Sequence, residues 1–436
     1  MSPESSNYRP RIADALLRKK LEAKGAVLIR GPKWCGKTTT AERHCRSVLY
    51  MSNPASRSSN IEMAKLDPAM LLQGETPRLI DEWQLAPELW DAVRFEVDHR
   101  HKRGQFVLTG SALPAQRSDA AGNNIIFHSG TGRFSILDMM PMTLFESGDS
   151  TGDVSLGDLF AGPKTVRGIN HQKLPDIAYL CCRGGWPYAI ADDMSREAAL
   201  SQATDYLDLV AEEDISRVDG VERNVERARA ILRSYARLQG SQSPISMIRK
   251  DVMANDVDSI SDDTVNSYLN ALRRIFVIRD MAAWNPNIRS KSAIRTSPTR
   301  YFSDPSIATA ALGLGPEDLT GDLHTFGLIF ETMCCRDLRV YAESLDGNVY
   351  HYRDSNGLEC DAVVHLRNGH YGLVEIKLGG DKLIEEGAAT LKKLAETIDS
   401  TRMHEPSFLM ILTAIGDYAY RREDGIYIVP IGTLKN

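Results

Sequence analysis

Several kinds of protein are made improbable by what this chain lacks. Its seven cysteines stand singly or as the adjacent pairs Cys181-Cys182 and Cys334-Cys335, with no Cys-x-x-Cys and no histidines at zinc-like spacing. Neither a disulfide framework nor a structural metal site is indicated, and the thiols read as buried and reduced. No apolar run approaches a membrane span, so no membrane partner is expected. The start, Met-Ser-Pro-Glu, lacks the basic-then-apolar pattern of a secretion signal, which makes the cytoplasm the expected location. An excess of basic charge is missing too. The 52 Lys plus Arg face 58 Asp plus Glu, a net charge of −6, which argues against a general polyanion binder.

The charge is nevertheless uneven. Residues 222–300 carry 14 Lys plus Arg against 8 Asp plus Glu, leaving −12 on the remainder, the signature of a local anion-binding face. A length of 436 residues suits two or three domains.

Residues 9–24 read as a basic amphipathic helix, Ala26 to Ile29 as a buried strand, and another helix begins near Lys37. Arg78-Leu-Ile and Gln105-Phe-Val-Leu read as further strands, ending in Asp81-Glu82 and Thr109-Gly-Ser111. Apolar strands that stop at polar residues, with helices between, predict a parallel sheet whose carboxyl edge carries all three clusters. Residues 123–135 read as a loop and short strand leading to Gly132-Arg133, and Leu137 to Glu146 as a connecting element. Ser147 to Lys164 is rich in Gly and Pro and reads as a flexible excursion. Residues 176–216 return to helix.

Between the first strand and the helix after it lies Gly31-Pro32-Lys33-Trp34-Cys35-Gly36-Lys37-Thr38, followed by Thr39. Framing glycines let the backbone form a nest of N–H groups around the β-phosphate. The lysine reaches the terminal phosphates and the Thr38 hydroxyl ligates Mg²⁺, so ATP and Mg are the expected ligands. The alternative is a tight turn with an incidental lysine. Asp81 is placed to hold Mg²⁺ through its water shell, and Glu82 to polarise the attacking water. Standing alone, that pair also fits a helix N-cap. Thr109 or Ser111 is a candidate sensor of the γ-phosphate. Arg133 is the first candidate for an arginine finger and Arg117 the second. A finger supplied by a neighbour makes the active form a homo-oligomer.

Further on, a helix from Val221 to Leu238, a short helix over Ile245 to Met253, a capped helix from Ser261 and an apolar strand over Ile275 to Asp280 suggest a winged helix-turn-helix. DNA is the partner that implies, with Arg273, Arg274, Arg289, Lys291 and Arg295 as phosphate contacts. Protein docking is the alternative use. From Thr299 onward a helix holding Glu331 precedes alternating segments typical of a mixed sheet. Asp361 on one strand lies across a short turn from Glu375 and Lys377 on the next. The last two share a face at i and i+2. Carboxylates beside a lysine suit Mg²⁺ binding and water activation against a phosphodiester, with Glu331, Asp361 and Glu375 as metal ligands and Glu375 and Lys377 in catalysis. A charged cross-strand pair on a solvated face is the plainer alternative.

On these residues the chain resembles the bacterial and archaeal AAA-type ATPases that carry a C-terminal domain of uncharacterised function. The resemblance rests on Gly31 to Thr38, Leu-Ile-Asp81-Glu82-Trp-Gln, Leu108-Thr-Gly-Ser111, Gly132-Arg133 ahead of Met-Pro-Met-Thr-Leu-Phe-Glu146, and Gly184-Gly185-Trp-Pro187. The C-terminal motif resembles the PD-(D/E)XK nucleases, with Cys360 in place of the proline. The expected fold class is α/β in three parts: an AAA-like P-loop domain with a helical extension over 1–216, a winged helix over 217–298 and a nuclease-like mixed-sheet domain over 299–436. The expected function is Mg-dependent ATP hydrolysis coupled to DNA engagement. A nucleotide-switched adaptor with an inactive nuclease-like domain is the rival, and a phosphotransferase is a further one.

Overall fold

Among the described residues, short apolar strands too brief to stand alone assemble into a five-stranded and a seven-stranded sheet joined by helices, beside two two-stranded pairs. The computed structural model describes residues 8–111, 117–118, 124–125, 130–163, 165–255, 259–286, 297–398 and 403–436, with backbone alone at 117–118 and 124–125. Helix α1 (Ile12–Ala23) buries Ala13, Leu16, Leu17 and Leu21, one face at helical spacing. Its first turn is closed by Asp14, whose Oδ2 accepts the Arg11 backbone N–H at 2.7 Å. Strand β1 (Ala26–Arg30) then runs into the glycine loop and helix α2 (Lys37–Glu42).

With β2 (Ser47–Tyr50), β3 (Arg78–Asp81), β4 (Phe106–Gly110) and β5 (Phe134–Asp138), β1 forms an all-parallel sheet in the order β2-β3-β4-β1-β5. Helix α3 (Glu88–Arg100) lies between β3 and β4 in sequence. The central strands are the ones the sequence announces. The edge strands β2 and β5 are only partly buried, so their apolar signal is diluted. Residues 134–138 are therefore a strand, where the sequence suggested that Leu137 began a connecting element.

Ser147 to Lys164 is likewise not an excursion as far as it is described; Lys164 lies outside the described residues. Strand β6 (Val154–Ser155) pairs with the C-terminal end of the chain, and the Ser150 hydroxyl donates to the Leu434 carbonyl at 2.8 Å. The stretch is docked because its polar groups find backbone partners there. A short strand, β7 (Gly168–Ile169), leads to α4 (Leu174–Arg183) and α5 (Arg196–Leu209), which continues as one π-helical turn, Val210–Asp214.

Three helices follow: α6 (Val225–Arg237), α7 (Ile245–Asn255) and α8 (Asp262–Arg274). Ser261 caps α8, accepting the Thr264 N–H at 3.1 Å. Ile275 to Asp280 does not form the expected strand. Phe276 takes a φ of 61°, a left-handed turn, and the bridges that follow are isolated: Ile278 with Phe302 and Met281 with Thr299, both antiparallel, and Ala283 with His351, parallel.

The last unit has α9 (Pro305–Leu312), the 22-residue α10 (Leu323–Ser344), β8 (Gly347–Arg353), β9 (Glu359–Leu366), β10 (Tyr371–Lys377), α11 (Asp381–Thr397), β11 (Phe408–Thr413), β12 (Tyr418–Arg421), β13 (Tyr427–Pro430) and β14 (Leu434–Lys435). Its sheet runs β8-β9-β10-β11-β13-β12-β7. The first three strands are antiparallel and β10, β11 and β13 parallel, a mixed sheet.

The Gly184-Gly185-Trp-Pro187 motif sits at the joint between units. A Cβ on Gly185 would lie 2.1 Å from the Met142 carbonyl, so only glycine permits this approach. Its N–H donates to Asp304 at 3.0 Å. Asp304 in turn pairs with the buried Arg336 at 2.8 Å, and Asp337 accepts the Leu144 N–H at 2.9 Å.

Candidate functional site

The three polar clusters meet on the carboxyl edge of the parallel sheet. β1 delivers Gly31 there, β3 delivers Asp81, and β4 delivers Thr109, the register partner of Asp81. Gly31 has no room for a side chain, since a Cβ would stand 2.0 Å from the Met139 carbonyl. Gly36 takes a φ of 99°, a conformation that favours glycine. Lys37 is buried and its ammonium donates back to the Pro32 carbonyl at 2.7 Å, across the loop.

Asp81 is 6% exposed. Its Oδ1 accepts two hydroxyls, Thr38 at 2.6 Å and Thr109 at 2.7 Å. Thr109 is fully buried, so it reaches the site through that carboxylate. Glu82 turns left-handed, at a φ of 56°. One of its oxygens accepts the Gln84 amide and the Ser111 hydroxyl, the latter at 3.3 Å.

Lys33 and Trp34 point away from this centre. The Lys33 ammonium pairs with Asp214 on the π-helical turn, and the half-exposed Trp34 ring lies 6.2 Å from Tyr206 on α5. Cys35 is buried, and its carbonyl accepts Arg11 Nη1 at 2.8 Å. Thr39 lies on a cavity of about 210 Å³ beside the loop, lined also by Tyr8, Thr40, Pro187 and Ile190.

Two residues that the sequence reading left without a role brace the loop. Arg11 Nε lies 3.1 Å from Glu146 Oε1, both nearly fully enclosed. Glu146 also accepts the backbone N–H of Ile12 at 2.8 Å and of Thr143 at 2.9 Å. The signal for Glu146 was the capping box Thr143-x-x-Glu146, legible in the sequence. Arg11 and Asp214 had no such signal, because their partners lie far along the chain.

Arg133 is not brought to the loop of its own chain. It precedes β5 at the amino edge of the sheet, one strand length from the carboxyl edge, or about 16 Å at 3.3 Å per residue. Its guanidinium pairs with Asp98 at 2.8 Å, which holds that carboxyl below its usual range. The Arg117 side chain lies outside the described residues.

In the C-terminal unit the four expected residues do converge. β9 and β10 set Asp361 beside Lys377 at 3.2 Å, and Lys377 lies 2.6 Å from Glu375. Asp361 also accepts the Ile376 N–H at 2.7 Å. Glu331, from α10, accepts the Tyr301 hydroxyl. Burial, then the Asp361 charge, raises the carboxyls of both Glu331 and Glu375. Burial works against the Lys377 ammonium, but Asp361 and Glu375 outweigh it and raise its pKa. Among the described residues no three His, Cys, Asp or Glu side chains are grouped to hold a metal ion; the ammonium of Lys377 binds the two strand carboxylates instead.

The outward positions of α8 carry Asp262, Asp263, Asn266 and Asn270, with no cation among them. Arg273 pairs with Asp280 at 2.7 Å, and Arg274 lies 3.8 Å from Asp219. Arg289, Lys291 and Arg295 lie outside the described residues.

Comparison with known proteins bears on the module that carries the first of these sites. Residues 23–147 match the family model described as AAA domain. The first module is similar to AAA-type P-loop domains. Residues 174–318 and 326–434 match two models described as domains of unknown function, DUF8612 and DUF4143. Uncharacterized proteins of Mycobacterium tuberculosis and Mycobacterium bovis are each 26% identical over 370 residues, covering 84% of this chain and 73% of theirs. A solved structure titled a Walker-type ATPase of Pyrococcus abyssi aligns with a TM-score of 0.40 at 13% identity, over 70% of this chain and 97% of that one. No helix among the described residues is long and apolar enough to cross a membrane.

Proposed function

We propose that this protein binds Mg·ATP at the Gly31 to Thr38 loop and hydrolyses it, and that the cycle governs its C-terminal domain. The observation that carries the reading is Asp81, a carboxylate 6% exposed, held by two hydroxyls and with no cation at ion-pair distance among the described residues. An enclosed carboxylate is costly unless a cation meets it. Its oxygens and the Thr38 hydroxyl are the hard donors that Mg²⁺ takes. When bound, the ion supplies charge neutralisation on the phosphates.

The chain's own residues do the rest. Lys37 exchanges its bond to the Pro32 carbonyl for the terminal phosphates, and the loop amides cradle the β-phosphate. Glu82, oriented by Gln84 and Ser111, takes up the proton of the attacking water. The cavity beside Gly36, Thr39 and Thr40 receives the nucleoside. Arg133, too distant to act within its own chain, serves a neighbour's nucleotide, which makes the active form a homo-oligomer.

Lys37→Ala should abolish nucleotide binding in calorimetry while the melting temperature of the free protein is kept. Unchanged ATP affinity would reject the site. ATP turnover that rises on adding DNA would tie the two halves together.

A second reading, metal-dependent phosphodiester hydrolysis at Glu331, Asp361, Glu375 and Lys377, is favoured by the convergence of those four residues from three elements. In it Asp361 and Glu375 would hold a divalent cation, which would supply charge neutralisation, and Lys377 would steady the phosphate. DNA engagement rests on this domain more than on α8, whose outward face is acidic. Incubation with Mg²⁺ or Mn²⁺ and several DNA and RNA forms, beside Asp361→Ala, decides it. Cleavage equal in both proteins, or in neither, leaves the nucleotide-switched adaptor.

A further inference from the structure

A second cavity, of about 400 Å³, opens where β5, α10 and the β8–β9 hairpin meet, and no residue of the Gly31 to Thr39 loop lines it. Five cations face it: Lys20, Arg30, Arg279, Arg339 and Arg367. Its four acids are already answered. Asp138 lies between Arg30 at 2.5 Å and Arg279 at 2.8 Å. Burial alone would raise its carboxyl, but the two arginines outweigh that and hold it down at about 2. Asp280 is taken by Arg273 at 2.7 Å, Asp346 by Lys19 at 2.5 Å, and Glu343 faces Lys20 at 3.7 Å.

That leaves Arg339 and Arg367 with no carboxylate at ion-pair distance among the described residues. Arg367 is exposed. Arg339 is the telling one. Its Nη1 donates only to the Arg279 carbonyl, at 2.8 Å, and its plane lies over the Tyr301 ring at 5.7 Å. Burial lowers its guanidinium pKa. Arg339 is half-buried, and a guanidinium drawn into a cleft without a carboxylate is suited to an anion, its planar fork matching phosphate oxygens two at a time.

We propose that this cleft binds a phosphate-bearing ligand, with Arg339 as the inner and Arg367 as the outer recognising cation. The volume falls within the range of small-ligand sites, roughly 300 to 1,000 Å³, and admits a group about the size of a nucleotide. The phosphate belongs either to a free phosphate ester or to the backbone of a nucleic-acid strand crossing the joint between the units.

The test uses the full-length chain carrying Lys37→Ala, so that the phosphate loop cannot take up the probe. Tripolyphosphate and a labelled single-stranded DNA are each titrated without added metal at low salt, then in competition. Arg367→Gln, at an exposed position, and Arg339→Lys, which keeps the charge but not the fork, are compared with the parent at matched melting temperature. At least about tenfold weaker binding of one or both probes in either variant supports the site. The probe that is lost names the source, free phosphate or strand. No binding of either probe to the Lys37→Ala protein, or binding of both probes by both arginine variants as tight as by that parent, overturns it.

Discussion

Asp81→Asn separates the charge of this side chain from its shape. The amide keeps an oxygen where Oδ1 accepts the Thr38 and Thr109 hydroxyls at 2.6 and 2.7 Å, so the edge of the sheet should hold. A hydrogen bond to a charged acceptor contributes about 1.5 to 3 kcal/mol against about 0.5 to 1.5 for a neutral one, so two weakened bonds cost about 2 kcal/mol together. Removing a carboxylate that is 6% exposed and lacks a cation partner among the described residues relieves desolvation of similar size, about 1 to 3 kcal/mol. The two effects nearly cancel. Stability by urea melting should therefore change by no more than about 1 kcal/mol, while ATP turnover falls at least about 100-fold, or about 2.7 kcal/mol of barrier. Nucleotide binding without Mg²⁺ should survive, because Lys37 and the loop amides are untouched. Turnover within tenfold of wild type would refute the assignment of Asp81. Loss of turnover together with a collapse in stability would mean that the hydroxyl pair needs the charge for folding.

Gly31→Ala should destabilise by about 3 kcal/mol or more and abolish nucleotide binding, since its Cβ would stand 2.0 Å from the Met139 carbonyl; urea melting and calorimetry read both. Glu146→Gln leaves Arg11 enclosed without its partner at 3.1 Å and should cost about 3 to 5 kcal/mol, whereas the double change with Arg11→Met should cost less. A double-mutant cycle in urea measures the difference. Asp138 gives a pH dependence. Its folded carboxyl titrates near 2, below the unfolded value of about 3.9. The stability it supplies is therefore complete above about pH 5 and is lost progressively as the pH falls through about 2, by about 2.6 kcal/mol in all. Acid unfolding of the wild type should show that slope, and Asp138→Asn should lack it.

The strands that were legible in advance are those buried on both faces. Ala26 to Ile29 and Phe106 to Leu108 are continuous apolar runs, buried where helices and neighbouring strands cover them. β2 and β5 escaped because an edge strand needs only one covered side. The short chain from Ile275 to Asp280 misled in the opposite direction: its apolar residues are buried, but they pack around a left-handed turn at Phe276 instead of entering a ladder. In the C-terminal unit, period-two patterning placed Asp361, Glu375 and Lys377 on facing strands, and their mutual distances followed from that register.

By itself the sequence determined the phosphate loop, the two strand ends that face it and the carboxylate–lysine strand pair, because each is a local pattern in which spacing along the chain dictates which side chains share a face. Only the tertiary structure decided that Arg11 and Glu146 brace the loop, that Lys33 reaches Asp214, that Arg133 stands at the far edge of its own sheet, and that Arg339 faces a cleft without a carboxylate partner among the described residues. Those relations join residues separated by tens to hundreds of positions, and no periodicity in a chain records which distant charge will fold against it.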